Sequence, residues 1–370
     1  MTIERAAKAV GFRPDKLKAC EMGVQGLTFA QLRKIARAYR RPTAAFFLPE
    51  APAPTKIPQF RRLPENAEQP LSPELRLAIR RIQQKREAAI ELSEFAPESR
   101  WDIVGSVTLN ENPEEVGNHV RRLLGVFDTL PKGAARDAFN YWRTRVEAAG
   151  VLVFQIPGVD VEEIRGCSIG EKPFPVIAVN QKDGYGPRSF TLLHEFSHML
   201  VGDSSLCELH DDDYALGEGS TKSVETFCNH VAGAALVPAR ILMSTPTVGN
   251  HGPTMVWSES ELQQLTSQFK VSKEVVLRRL LIMGLTTNRF YGEKRNEWKQ
   301  EIRTSRKKGG GPPVHHQVLA AEGLPFTSMM IEAFHEKAIG LAELSELLSF
   351  DLKHLPNLER LLAQKVPRTR

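Results

Sequence analysis

Prolines recur from Pro49 to Pro73 and divide the chain. Each one fixes φ and removes a backbone donor, so neither a helix nor a central strand can run through that stretch. A proline-rich connector is therefore expected at 51–72, with separately organised segments on either side. The 370 residues allow two or three folded units.

Ahead of the connector, residues 1–50 read as short helices. Ile3 to Val10 is helical in pattern and Gly11 is a natural stop. Pro14 opens a second helix that runs through Leu17 to Met22. A third, from Thr28 to Tyr39, places Phe29, Leu32, Ile35, Ala36 and Tyr39 on one face. After the connector, Ser72 and Pro73 open a long helix that is expected to reach Phe95.

Residues 101–240 alternate differently. A helix at Ala134–Ala148 is followed by strand-like runs at Val151–Phe154, Ile164–Ile169 and Pro175–Asn180. Turn residues Asp183 to Pro187 lead to a helix at Ser189–Val201, and a last helix covers Thr221–Leu236 before Pro238. This order predicts an α+β fold, mainly helical, with a small sheet. Farther on, Ser258-Glu259-Ser260-Glu261 reads as a helix cap, with helices through Phe269 and Leu281. The basic, glycine-rich stretch 303–313 reads as a linker. The tail from Val314 is mostly helical, with a pair expected at Ala338–Leu348 and Leu352–Leu362. The expected domains are 1–50, 51–72, 73–245, 246–302, 303–313 and 314–370.

No apolar run approaches the roughly 20 residues of a membrane span, and the first residues lack a basic segment followed by an apolar one. A cytoplasmic protein is expected. Cys20, Cys167, Cys207 and Cys228 show no C-x-x-C spacing, so reduced thiols are expected too. The net charge of +5 is small for so long a chain, and decides nothing about nucleic-acid binding.

His194-Glu195-Phe196-Ser197-His198 matches H-E-x-x-H within a stretch already read as helical. Residues four apart on a helix face the same way, so both imidazoles can bind one metal ion, with Glu195 displaced toward the metal's water. Zinc with an open fourth position lowers the pKa of that water to about 7, and a carboxylate can take its proton. Glu195 fits the general base. The bland reading is two histidines on an amphipathic helix. A third ligand is still required, and the following helix offers Glu225, with His230 as a competitor on another face. Manganese and iron remain compatible with such a donor set.

The stretches RSFTLLHEFSHMLVG and SVETFCNHVAGAALVP closely resemble the ImmA/IrrE family of regulatory zinc metallo-endopeptidases. The resemblance implies a compact gluzincin-like fold, metal ligands at His194, His198 and Glu225, and a catalytic glutamate at Glu195. It also implies a protein substrate, an XRE-type repressor or antitoxin. The opening stretch ACEMGVQGLTFAQLRKIARAYRRPTAAFFLPE looks like the XRE-type helix-turn-helix found in longer members, which implies DNA as a partner. That module begins almost at its second helix, and Asp15 to Glu21 offers Lys16 and Lys18 but few base-reading side chains. Docking to a protein is an equal reading. The basic residues Arg33, Lys34, Arg37, Arg40 and Arg41 suit phosphates or simply water. His210, Tyr214 and Tyr185 are candidate donors to a tetrahedral intermediate, and spacing selects none of them. The acidic loop Glu208 to Asp213 reads as solvated.

Overall fold

The computed structural model describes residues 3–39, 43–48, 71–95, 102–202, 206–207, 220–302 and 313–365. Most of the expected connector at 51–72 lies outside them, as do Arg40, Arg41 and the acidic loop. The chain divides into two compact units, a smaller one reaching Arg81 and a larger one from Ile82 onward.

The smaller unit contains α1 (Ile3–Val10), α2 (Pro14–Glu21) and α3 (Phe29–Tyr39). Ala6, Ala7, Val10, Leu17 and Ile35 form its core. Thr28 and Gln31 cap α3 reciprocally, the Gln31 N–H donating to Thr28 Oγ1 at 3.3 Å and the Thr28 N–H to Gln31 Oε1 at 3.0 Å. This makes Phe29 the first helical residue, beyond the reach of so small a core. It is 62 % exposed and does not share the buried face expected for it. Arg33, Lys34 and Arg37 are exposed on the same helix.

Next comes α4 (Pro73–Glu91), where the Leu75 N–H donates to Ser72 Oγ at 3.1 Å. It stops short of Phe95, giving way to a 3-10 turn at Ser93–Phe95. The larger unit continues with α5 (Pro113–Leu123), α6 (Ala135–Ala148), β1 (Leu152–Ile156), β2 (Gly166–Ile169), β3 (Val176–Asn180), α7 (Tyr185–Val201), β4 (Leu206–Cys207) and α8 (Ser220–Leu236). Short helices α9 (Ala239–Met243) and α10 (Pro246–Gly249) lead to α11 (Glu259–Phe269), α12 (Lys273–Ile282) and α13 (Asn288–Ile302). The last four are α14 (Val314–Glu322), α15 (Leu324–His335), α16 (Leu341–Leu347) and α17 (Leu355–Lys365). The fold is α+β, as the element order requires.

The sheet runs β1-β3-β2-β4, with β1 and β3 parallel and the other two pairings antiparallel. Every residue of β1, β2 and β3 is buried, which explains their near-continuous apolar sequences. Side chains alternate across the sheet. Val153, Ile177 and Val179 join the core that contains Leu192, Leu193 and Phe196 of α7. Phe154 points the other way and meets Phe326 of α15 edge-on, with ring centroids 5.2 Å apart. The helices beyond Val314, expected as a separate module, thus cover the second face of the sheet.

Buried charge fastens this cover. Glu322 ends α14 and pairs with Lys85 of α4. Arg143 of α6 binds Glu147 at 2.8 Å and donates to the carbonyls of Val153 and Ala320. Gly323, between α14 and α15, has φ +82°, and a Cβ there would collide with Glu147 and Arg143. The core also continues across residue 245, since Trp257, Leu262, Leu265, Phe269, Val276 and Leu280 share it with α7 and α8. Ser258 caps α11 with its hydroxyl and Glu261, as its sequence indicates. Among the described residues, no helix is long and apolar enough to cross a membrane.

Candidate metal centre

Helix α7 is buried on nearly every side from Ser189 to Leu200, which is why TLLHEFSHML is largely apolar outside His194, Glu195 and His198. It begins at Tyr185, four residues ahead of the expected Ser189. Gly184 is the N-cap, and Pro187 sits in the first turn, where a missing N–H costs nothing. Phe190, one turn before His194, stacks on its ring at 6.1 Å between centroids.

Three of the sequence-derived residues meet. His194 Nε2 lies 3.1 Å from His198 Nε2 and 3.2 Å from Glu225 Oε2. His198 Nε2 lies 3.2 Å from Glu225 Oε1. These donor atoms all fall within 4.8 Å of one another. Both histidines are buried, whereas the Glu225 side chain keeps 13 % exposure. Burial pushes the Glu225 carboxyl up, but its hydrogen bonds to His194 and His198 prevail and hold it well below the usual carboxylate range.

The set fits a tetrahedral cation. Donor bonds of about 2.0–2.1 Å at a tetrahedral angle place neighbouring donor atoms roughly 3.3 Å apart. All three observed separations come within a few tenths of that distance. Two imidazole nitrogens and one carboxylate also match a known open-sited ligand set.

Residues 146–281 match the family model Peptidase_M78, described as an IrrE N-terminal-like domain. That segment belongs to the M78 metallopeptidase family. No curated protein matches the chain.

Within this M78 domain, Glu195 is fully buried beside the cluster and faces β2. Its Oε1 lies 3.3 Å from where a Cβ on Gly166 would stand, and such a Cβ would also overlap the Thr191 methyl group and crowd the Ala178 carbonyl. The missing side chain at 166 makes room for the carboxylate. Spacing along the sequence gave no sign of this, because β2 and α7 meet only in the fold. Cys167, next along β2, has its thiol pushed well up, first by burial and then by the Glu195 charge.

His230, the competing third ligand, is turned away from the His194–His198–Glu225 cluster. Its Nε2 lies 2.7 Å from Glu114 Oε1 on α5. Glu114 also pairs with fully buried Arg279 of α12, whose second nitrogen reaches Oε2 at 2.9 Å. The Arg279 Nε–H donates to the Val237 carbonyl at 2.9 Å. Burial raises the Glu114 carboxyl, yet hydrogen bonds from His230 and Arg279 outweigh it and lower it to about 2. Helix α5 was not expected from the sequence, although Asn112-Pro113-Glu114-Glu115 carries the signal: an N-cap, a first-turn proline and two acids.

Tyr185 belongs to the opposite end of α7, nine residues from His194 and so roughly 14 Å away along the axis. Its ring packs on Phe139 and under Arg188. It therefore cannot serve a tetrahedral intermediate at the cluster. His210 and Tyr214 lie outside the described residues.

Proposed function

We propose that this chain is a zinc-dependent endopeptidase of the regulatory ImmA/IrrE kind, which hydrolyses a peptide bond in an XRE-type repressor or antitoxin. The convergence of His194, His198 and Glu225 at tetrahedral spacing carries this reading. Zinc held there supplies Lewis acidity toward a carbonyl oxygen and acidifies a water molecule. Glu195 takes the proton from the attacking water and passes it to the leaving amine. Gly166 leaves that carboxylate the space to do so. Manganese or iron would serve the same donors, and metal analysis distinguishes them. The target class and any contact of the N-terminal helices with DNA are inferred from the ImmA/IrrE resemblance, which also makes control of stress or mobile-element genes the setting.

The test compares the intact chain with Glu195→Gln. Bound metal is quantified, and each protein is incubated with the XRE-type repressor encoded beside its gene. Both proteins should hold one metal ion, because Glu195 is not a ligand. A discrete cleavage product from the intact chain should vanish with chelator and fall by about 10²–10⁴-fold in rate with the variant. Cleavage at equal rates by both proteins would refute Glu195 as the base. A chain that binds no metal would refute the centre itself.

A further inference from the structure

His251 follows α10, and its side chain is only 5 % exposed. The ring lies flat on the indole of Trp257, with centroids 3.5 Å apart and planes 3° from parallel. Trp257 is itself fixed in the core, its Nε1–H donating to the Leu285 carbonyl at 2.9 Å. Positive charge on the imidazole strengthens such a stack, because the indole face is electron-rich.

Both ring nitrogens face acceptors. Nδ1 lies 2.7 Å from Glu261 Oε1. The other carboxylate oxygen, Oε2, accepts the Ser258 N–H at 2.8 Å in the cap of α11, which holds Glu261 in place. Nε2 lies 3.1 Å from the Thr254 carbonyl oxygen and 3.2 Å from the Thr254 hydroxyl. That hydroxyl donates its proton to the Val256 carbonyl at 3.3 Å, so it can only accept from Nε2. An ionised carboxylate and a carbonyl oxygen also only accept, and a neutral imidazole has a single N–H to give. The imidazolium alone satisfies both sides of the ring.

Among the described residues, Glu261 is the charged group that faces His251. Glu259, in the same turn of α11, pairs with Lys273 instead. Helix α10 carries no ionisable side chain, and Leu285 and Thr286, which bond the same segment from beyond α12, are uncharged. We propose that His251 is a pH-operated latch, which as imidazolium closes segment 251–257 onto the first turn of α11 and on losing its proton releases it. Proton loss sets the lone pair of one nitrogen against an acceptor oxygen and removes the charge that faces Glu261 and Trp257. The latch is therefore closed in acid and opens as the pH rises. The segment it holds displays Met255 and Val256, 46 % and 62 % exposed, and release would uncover the face of Trp257 on which the imidazole lies. The latch shares no residue with the metal centre, so failure of either leaves the other standing.

The test follows amide hydrogen exchange of the full chain by mass spectrometry at about pH 5.5 and about pH 8, which span the ordinary histidine range. Each rate is corrected for the intrinsic exchange rate. Protection over 251–257 should fall roughly 10- to 100-fold from the acid to the alkaline condition, the worth of a hydrogen bond to a charged group, while α12 stays unchanged. His251→Phe keeps a flat ring on Trp257 and removes both donors, so protection in the segment should be low and equal at the two pH values. Glu261→Gln keeps a residue suited to the cap of α11 and should flatten the pH dependence as well. Protection that does not fall in the unaltered chain, or that falls equally in His251→Phe, would overturn the latch. A fall of the same size across α12 would mark a general loosening and overturn it too.

Discussion

Two clusters of histidine and carboxylate meet on α8, and they differ in what completes them. Around Glu114, the Arg279 guanidinium supplies a permanent positive charge, and His230 adds a further bond. Charge is balanced and the donors have acceptors, so that cluster closes on itself as a structural clamp between α5, α8 and α12. Around Glu225 stand two imidazoles, and all three members present Lewis-basic atoms that lie 3.1–3.2 Å from one another. Convergence of ligand-type residues is therefore a poor guide taken alone. A cluster that carries its own cation is finished, whereas one built of converging bases is arranged to receive a cation.

The contrast breaks most sharply at the two competing histidines. His198→Ala should reduce zinc affinity by more than the roughly 100-fold that loss of an outer hydrogen-bond partner causes, while His230→Ala should leave it within a few-fold, both read by competition with a chromogenic chelator. If His230→Ala abolished metal binding, the separation of the clusters would be wrong. Glu114→Ala should act in the opposite sense. It strands the buried Arg279 guanidinium and should cost about 3 kcal/mol in urea unfolding with zinc affinity preserved.

Acid sharpens the same comparison on a smaller scale. Because the folded Glu114 titrates at about 2 against an ordinary 4.5, only the unfolded chain takes up this proton as the pH falls below 4.5. The stabilisation is complete above 4.5 and drains away between 4.5 and 2. Discounted for the partial exposure of the side chain, it amounts to roughly 2 kcal/mol. The difference in unfolding free energy between the unaltered chain and Glu114→Gln should shrink accordingly from pH 6 downward. The smallest effect belongs to Arg240 and Asp128, an ion pair with both side chains about three-quarters exposed. Arg240→Ala should change stability by less than about 1 kcal/mol, which would confirm that burial gives the Glu114 pair its weight.

The histidine pair was legible because its logic is local: four residues on one helix fix a shared face. The candidate third ligand was harder. Glu225 and His230 are both plausible by type; the His₂Glu donor set and the different face of His230 favoured Glu225, and the ImmA/IrrE resemblance points the same way. The fold supplies the reason, a five-residue offset that turns His230 onto α5. Tyr185 looked like a turn residue beside Gly184 and Gly186, yet it starts α7 and points its chemistry away from the centre. Helix α5 carried a readable cap and was passed over, so Glu114 was missed with it. The Gly166 space beside Glu195 and the meeting of Phe154 with Phe326 join residues distant in sequence, and no periodicity announces such contacts.

Gly323 and the salt-bridged joint around it carry one consequence for synthesis. The second face of the sheet is closed by α14 and α15, which leave the ribosome long after the H-E-x-x-H helix. The nascent chain thus displays His194, His198 and Glu225 before the ring that covers Phe154 of β1 has been made. A polypeptide halted near residue 281 would contain the whole M78 signature and still leave Phe154 without the ring that covers it.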